Sequence, residues 1–304
     1  MKTESCVANG TGRPVSEWIT GFAPAKVNLA LHVIGQRPDG LHQLQSLVVF
    51  AGTGDRLLAR AGTQDSLVIG GPFAGDLDGG EQNLVLAVID AYRERFPARL
   101  PQGIEVRLTK NLPVAAGVGG GSSDAAAMLR ILEQLAETPP PRSGLIELAA
   151  QLGADVPVCL SAHAQLMQGV GEKLHRFSGL PRACLVLINP GVAIPTQAVF
   201  DHLVDKRNSH LPTPPPGFSS ARALADWLQT TRNDLVCPAR KLVPEIEEVT
   251  DFLEQQQECL FTRMSGSGAT VFGLFGDKHQ AAPAVKAAQK LWPQYWIASA
   301  PMLE

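Results

Sequence analysis

Hydrophobic and polar residues change their spacing several times along this chain, and each change marks an element. Ile104-Glu105-Val106-Arg107-Leu108-Thr109 alternates apolar and polar residues, the period of a strand with one buried face. Further on, Ala125, Met128, Leu129, Leu132 and Leu135 fall on one helical face, and Ser122 or Ser123 can cap that helix. The same spacing turns Leu84, Val85, Val88, Ala91 and Tyr92 inward on a helix over 83–96 capped by Asn83. It predicts a short helix over 145–152 ending at Gly153, another opened by Pro244 with Ile246, Val249 and Leu253, and a closing helix from Lys278 to Lys290 that completes the chain. Apolar runs predict strands over 44–50 and 184–188, and residues 55–80 read as short strands with glycine-rich turns. The pattern is that of a mixed α/β protein.

One predicted strand, over 21–33, has a polar stripe. Lys26 and Asn28 share a face, while Val27, Leu29, Leu31 and Val33 lie on the other. Either two polar groups are held in place by a buried opposite face, or this is an edge or solvent-facing strand; spacing alone leaves both open.

Composition narrows the picture. With 304 residues, 45% of them hydrophobic, the chain is long enough for two domains with separate cores. A net charge of −3 gives no footprint for nucleic acid, so a small-molecule partner fits better. Cys6, Cys159, Cys184, Cys237 and Cys259 are scattered without a C-x-x-C pair and read as reduced thiols of a cytosolic, cytoplasmic protein. The start is polar with no apolar leader, and residues 1–17 are expected to form a loosely ordered extension.

Candidate chemistry centres on Pro113-Val114-Ala115-Ala116-Gly117-Val118-Gly119-Gly120-Gly121-Ser122-Ser123, which joins the alternating strand to the helix after it. Glycines let backbone approach a ligand closely, and the unpaired amides of a helix start carry about half a positive charge, so an anionic ligand is the natural guest. Neither familiar phosphate loop fits. A P-loop needs lysine directly after its last glycine, and the dinucleotide fingerprint needs glycine as its sixth residue; Ser122 stands at both places. The plain alternative is a turn without a ligand, but three ordered glycines each cost about 1 kcal/mol against alanine.

The pattern Pro-x-x-x-Gly-x-Gly-Gly-Gly-Ser-Ser-Asp-Ala-Ala resembles the phosphate-binding motif of the GHMP kinases, the galacto-, homoserine, mevalonate and phosphomevalonate kinases. Pro24-Ala25-Lys26-Val27-Asn28-Leu29 and Arg37-Pro38-Asp39-Gly40-Leu41-His42 are similar to the first motif of the branch that phosphorylates a cytidine diphosphate-linked methylerythritol. Leu152-Gly153-Ala154-Asp155-Val156-Pro157 matches the segment that supplies a catalytic aspartate, and Gly266-Ser267-Gly268 matches a third motif near the nucleotide.

The resemblance implies a two-domain GHMP kinase fold of α/β (α+β) class, with an N-terminal domain like ribosomal protein S5 domain 2 and a ferredoxin-like C-terminal domain. The expected division is 18–178, the ATP-binding part, and 179–304, which contributes to a substrate cleft. It implies ATP-dependent phosphorylation of the substrate's 2-hydroxyl in the non-mevalonate route to isoprenoid precursors, with Mg²⁺ accompanying ATP. Asp155 would take the hydroxyl proton, and Lys26 would hold it ionised and neutralise transition-state charge. Asn28, Leu41, His42 and Thr196 are the expected substrate contacts.

Two departures stand out. Leu41 occupies the place of a tyrosine that stacks on the cytosine, so another side chain is expected to help sandwich the base. Asp124, in the first helical turn, would repel a phosphate there and must point away or act through a metal ion, whose ligands the sequence does not identify. A GHMP kinase for homoserine or mevalonate, and a non-catalytic nucleotide-binding module, remain as rival readings.

Overall fold

The computed structural model describes residues 17–76, 83–97 and 99–304. Apart from Glu17, the expected extension over 1–17 lies outside the described residues. Two compact units are built from alternating segments of chain: the first takes the described residues up to 23 with 54–111 and 121–160, the second 24–53, 112–120 and 161–304.

Two long paired strands come first, β1 (Ile19–Gln36) and β2 (His42–Gly62). The Pro38-Asp39-Gly40 turn between them works because Gly40 takes a φ of 88°, which a side chain would resist, and Leu41 N–H donates to Asp39 Oδ1 at 3.1 Å.

The first unit continues with β3 (Ser66–Gly70), α1 (Leu84–Arg95), β4 (Gly103–Thr109), α2 (Gly120–Leu135), α3 (Arg142–Leu152) and α4 (Val156–Ser161). Here β4 runs antiparallel to Arg56–Gly62 of β2 and parallel to β3. Its predicted alternation is realised, with Ile104, Val106 and Leu108 buried and Arg107 and Thr109 exposed. Asn83 caps α1, its Oδ1 accepting the Val85 N–H at 3.0 Å.

The start of α2 departs from expectation. The helix begins at Gly120, ahead of Ser122 and Ser123, so neither serine is its cap. Gly117 and Gly119, at φ 74° and 63°, make the turn into the helix themselves, and both serines fall inside its first turn. Its buried set is also wider than one stripe, since Ser123, Asp124, Ala126, Ala127 and Ile131 join the predicted face.

The second unit carries β5 (Gln165–Gly169), β6 (Lys173–Arg176), β7 (Cys184–Asn189), α5 (Thr196–Asp201), α6 (Ala221–Gln229), α7 (Val236–Leu242), α8 (Glu245–Glu254), β8 (Phe261–Met264), β9 (Val271–Phe275), α9 (Lys278–Leu291) and β10 (Trp296–Pro301). Leu44–Val48 of β2 pairs antiparallel with β5, and β5 with β6. The other sheet is antiparallel in the order β10-β7-β9-β8, the ferredoxin-like arrangement. The chain therefore does not close on a helix: β10, whose small and polar residues hide its period, follows α9 and pairs with β7.

The polar stripe of β1 is enclosed. Lys26 is 5% and Asn28 1% exposed, while Val27, Leu29 and Val33 are fully buried, so the solvent-facing alternative fails. Val27 and Leu29 pack among Leu47, Leu185, Leu187, Phe272 and Leu274. Each such side chain contributes about 1.5–3 kcal/mol of burial, which keeps the Lys26 and Asn28 backbone fixed.

Candidate active site

Three segments that the sequence singles out meet within the second unit: β1 around Lys26 and Asn28, the loop 112–120, and the turn 265–270 between β8 and β9. Lys26 N–H donates to the Val118 carbonyl at 2.8 Å, and Thr270 N–H to the Ala116 carbonyl at 3.2 Å. Between these bonds sits Ser265, fully buried. Its hydroxyl donates to the Gly117 carbonyl at 2.9 Å and accepts the Asn28 N–H at 3.1 Å. One side chain thereby joins all three segments.

The glycines are required by this closeness. A Cβ on Gly117 would stand 2.6 Å from the Ser265 carbonyl oxygen and 2.7 Å from that of Gly268. On Gly266 it would come within 2.9 Å of the Gly117 oxygen, and on Gly119 within 3.0 Å of Lys26 Cε. Pro113, Ala116 and Val118 are buried supports, whereas Gly119 and Gly120 are partly open and Ala115 is exposed. Beyond its own helix and chain neighbours, nothing among the described residues lies within 4 Å of where a Gly121 Cβ would be. The first amides of a helix have no intrahelical partner, and Gly121 in this first turn is exposed.

Of the predicted site residues, Gly121, Ser122, Ser123 and Asp155 belong to the first unit. Asp155 directly precedes α4, its carbonyl accepting the Cys159 N–H at 3.2 Å, and it is half-buried. Arg130 of α2 donates to the carbonyls of Cys159 and Leu160 at 2.9 and 3.2 Å, which secures the far end of that helix.

Asp124 points into the interior of the first unit, where it meets Lys110 at 2.6 Å; the same ammonium meets Asp55 at 2.5 Å. All three are buried. Two carboxylates facing one ammonium leave an excess negative charge out of water. Burial, with Asp55 assisting and Lys110 opposing, pushes the Asp124 carboxyl up to about 8.

The substrate candidates lie in the second unit. Asn28 Nδ2 donates to Ser46 Oγ at 2.8 Å, and the Ser46 hydroxyl donates to the Ala30 carbonyl at 2.6 Å. That leaves Asn28 Oδ1 buried with no partner among the described residues, an acceptor aimed toward Gly266. His42 stacks on Phe200 with ring centroids 4.6 Å apart and 17° between planes. Burial, helped by Lys206 against Asp201, holds the His42 imidazole below its ordinary pKa, so it is neutral at pH 7, and its Nδ1 has no partner among the described residues. Leu41, on the turn beside it, is 52% exposed. Thr196 and Ser267 share a hydroxyl hydrogen bond at 3.0 Å, which ties the start of α5 to the third glycine segment.

The sequence did not single out Ser265, Phe200 or the Lys110 cluster. Ser265 directly precedes the Gly266-Ser267-Gly268 motif, and Phe200 is the aromatic one helical turn after Thr196. Asp55, Lys110 and Asp124 are too far apart in sequence for any motif to join them.

Residues 83–163 match the family described as GHMP kinases N terminal domain, and residues 218–294 that described as GHMP kinases C terminal. A protein of Dinoroseobacter shibae named 4-diphosphocytidyl-2-C-methyl-D-erythritol kinase is 46% identical over 288 residues, covering 94% of this chain and 95% of its own. One of the same name from Cereibacter sphaeroides is 47% identical over 282 residues, covering 92% and 98%. Among solved structures, a 4-(cytidine 5'-diphospho)-2C-methyl-D-erythritol kinase superposes with a TM-score of 0.74 at 32% identity, over 94% of this chain and all of that one. A homoserine kinase of Cytophaga hutchinsonii reaches 0.68 at 20% identity over 96% of each chain, a likeness of fold.

Proposed function

The chain belongs to the 4-diphosphocytidyl-2-C-methyl-D-erythritol kinases, a GHMP kinase family, and from that premise we propose how its residues divide the work of the reaction. The enzyme transfers a phosphoryl group from ATP to the 2-hydroxyl of 4-diphosphocytidyl-2-C-methyl-D-erythritol, in the methylerythritol phosphate route to isoprenoid precursors.

The loop 113–121 and the first turn of α2, with Ser122 and Ser123, receive the phosphates of ATP. The observation that carries this is the Ser265 latch, which sets the Gly117 and Gly266 backbones within a few ångströms of each other. Gly266, Ser267 and Gly268 form the opposing wall. Mg²⁺ is expected with ATP, where it neutralises phosphate charge; it needs few protein ligands, and the partly open Ser122 hydroxyl is an oxygen donor of the class it takes.

Phosphoryl transfer asks the protein for positioning and charge stabilisation more than for covalent chemistry. Asp155 takes the proton of the attacking 2-hydroxyl, and Lys26 offsets charge on the moving phosphoryl group. Asn28 Oδ1 accepts a hydrogen bond from the substrate. The neutral His42 uses its free Nδ1 against the cytosine edge, and Phe200 supplies the aromatic face that Leu41 does not. Thr196 holds the third glycine segment beside the substrate.

The division at 18–178 and 179–304 is part of the same proposal. So is a cytoplasmic location, which suits cysteines held outside any disulfide at Cys184, Cys237 and Cys259. Phosphorus and carbon NMR of the product tests the reaction: phosphate on the carbon bearing the 2-hydroxyl is expected, and phosphate on another oxygen contradicts it.

A further inference from the structure

Asn233 stands at the turn into α7, outside every segment assigned to ligand or chemistry above, and is 6% exposed. Its side-chain nitrogen donates to two backbone carbonyls, those of Met264 and Gly266, each at 2.9 Å. Its side-chain oxygen accepts the Leu235 N–H, also at 2.9 Å. Both amide protons are therefore spent on the entrance to the glycine turn, and the oxygen serves its own helix start.

The peptide that carries Asn233 is itself anchored on β1. Leu31 N–H donates to the Arg232 carbonyl at 2.9 Å, and Asp234 N–H to the Leu31 carbonyl at 2.9 Å. The half-buried Arg263 guanidinium reinforces this, donating to the carbonyls of Leu29, Leu228 and Thr231 at 3.0, 3.1 and 2.8 Å. So the donor that grips the glycine turn is referenced to the strand that carries Lys26 and Asn28.

The turn needs such a reference. Gly266 and Gly268 sit at φ 55° and 88°, and without side chains they have nothing of their own to hold the backbone in place. The tolerance is small, because a Gly266 Cβ would already be 2.9 Å from the Gly117 oxygen. Two carbonyls held by one planar amide fix both the height and the tilt of the turn.

We propose that Asn233 is a positioning residue for nucleotide binding: its amide donors hold the Met264 and Gly266 carbonyls, and so set the Ser265–Gly268 turn against Gly117. This rests on the reading of that turn as a wall of the ATP site. It assigns a ligand-binding consequence to a residue that touches neither substrate.

The test uses two variants that keep an oxygen for Leu235 and lose the paired donors, Asn233→Asp and Asn233→Ser. Thr250→Ala serves as a control; it loses a buried hydroxyl bond to the Ile246 carbonyl within α8 and leaves the Met264 and Gly266 carbonyls their Asn233 donors. Dissociation constants for ATP are measured by calorimetry in magnesium buffer well below each Tm, with KM for the alcohol alongside. Both Asn233 variants are expected to bind ATP about tenfold or more weakly while KM for the alcohol moves by less than about twofold, and Thr250→Ala is expected to lower Tm with ATP affinity kept.

ATP affinity within about twofold of the unaltered chain in both Asn233 variants overturns the proposal. So does failure of both to fold, which makes Asn233 a residue of stability. ATP binding by the unaltered protein without turnover of the alcohol removes the reaction and leaves the role of Asn233 to be read from the same affinities. No ATP binding by the unaltered protein removes both.

Discussion

The hydroxyl of Ser265 donates to the carbonyl of Gly117 at 2.9 Å, across a sequence separation of 148 residues. Because the same oxygen accepts the Asn28 N–H, one buried hydroxyl holds the first, second and third signature segments in register. Ser265→Ala leaves that amide and that carbonyl unpaired, at a cost of about 1–3 kcal/mol. The variant should fold with a lower Tm and a raised KM for ATP. An unchanged KM with a lowered Tm would reduce the latch to a stability element.

Asp155→Asn keeps the shape of the residue ahead of α4 and removes its ability to take a proton. Turnover should fall by about 10²–10⁴-fold, with ATP affinity largely retained, as read by single-turnover phosphorylation beside calorimetry. Unaltered turnover would remove Asp155 from its proposed role.

Leu41 is half-exposed on its turn, beside the His42–Phe200 stack. Leu41→Tyr adds a ring where there is room, so KM for the cytidylyl substrate should fall, by up to about tenfold for an aromatic gain of about 0.5–1.5 kcal/mol. Phe200→Leu should raise the same KM and spare that for ATP. A higher KM in Leu41→Tyr would mean that the space is already filled in the complex.

The buried cluster gives a prediction in pH. Asp124 is raised from its ordinary value to about 8, chiefly by burial, so the folded protein holds a proton there that the unfolded chain releases near pH 4. Stability from this group is fully present below pH 4 and is lost as pH rises to about 8. Asp124→Asn removes the titration and leaves Lys110 paired with Asp55. The difference in Tm, variant minus unaltered, should therefore rise between pH 5 and 8; a flat difference contradicts the charge excess. Lys110→Met, which strands both carboxylates, should cost about 3–5 kcal/mol.

Much of this was legible in the sequence for a physical reason. Strand β4 and helix α1 announce themselves by period and cap, and the loop 113–121 by its glycines, of which Gly117 stands where a side chain would meet backbone. What stayed hidden depends on contacts between distant residues. Nothing local to Asp55, Lys110 or Asp124 says that they meet, and the double burial of β1 follows from the sheet packed over it. The start of α2 was misplaced because serine is the better cap by propensity, while here left-handed glycines make the turn earlier. Strand β10 was missed because its pairing with β7, and not its own pattern, makes it a strand.

The most direct measurement of the central claim is ADP release by the purified protein with Mg-ATP, offered 4-diphosphocytidyl-2-C-methyl-D-erythritol, homoserine and mevalonate in parallel. The account predicts turnover with the first alone. Comparable turnover of either other alcohol, or none with any while ATP still binds, would contradict it.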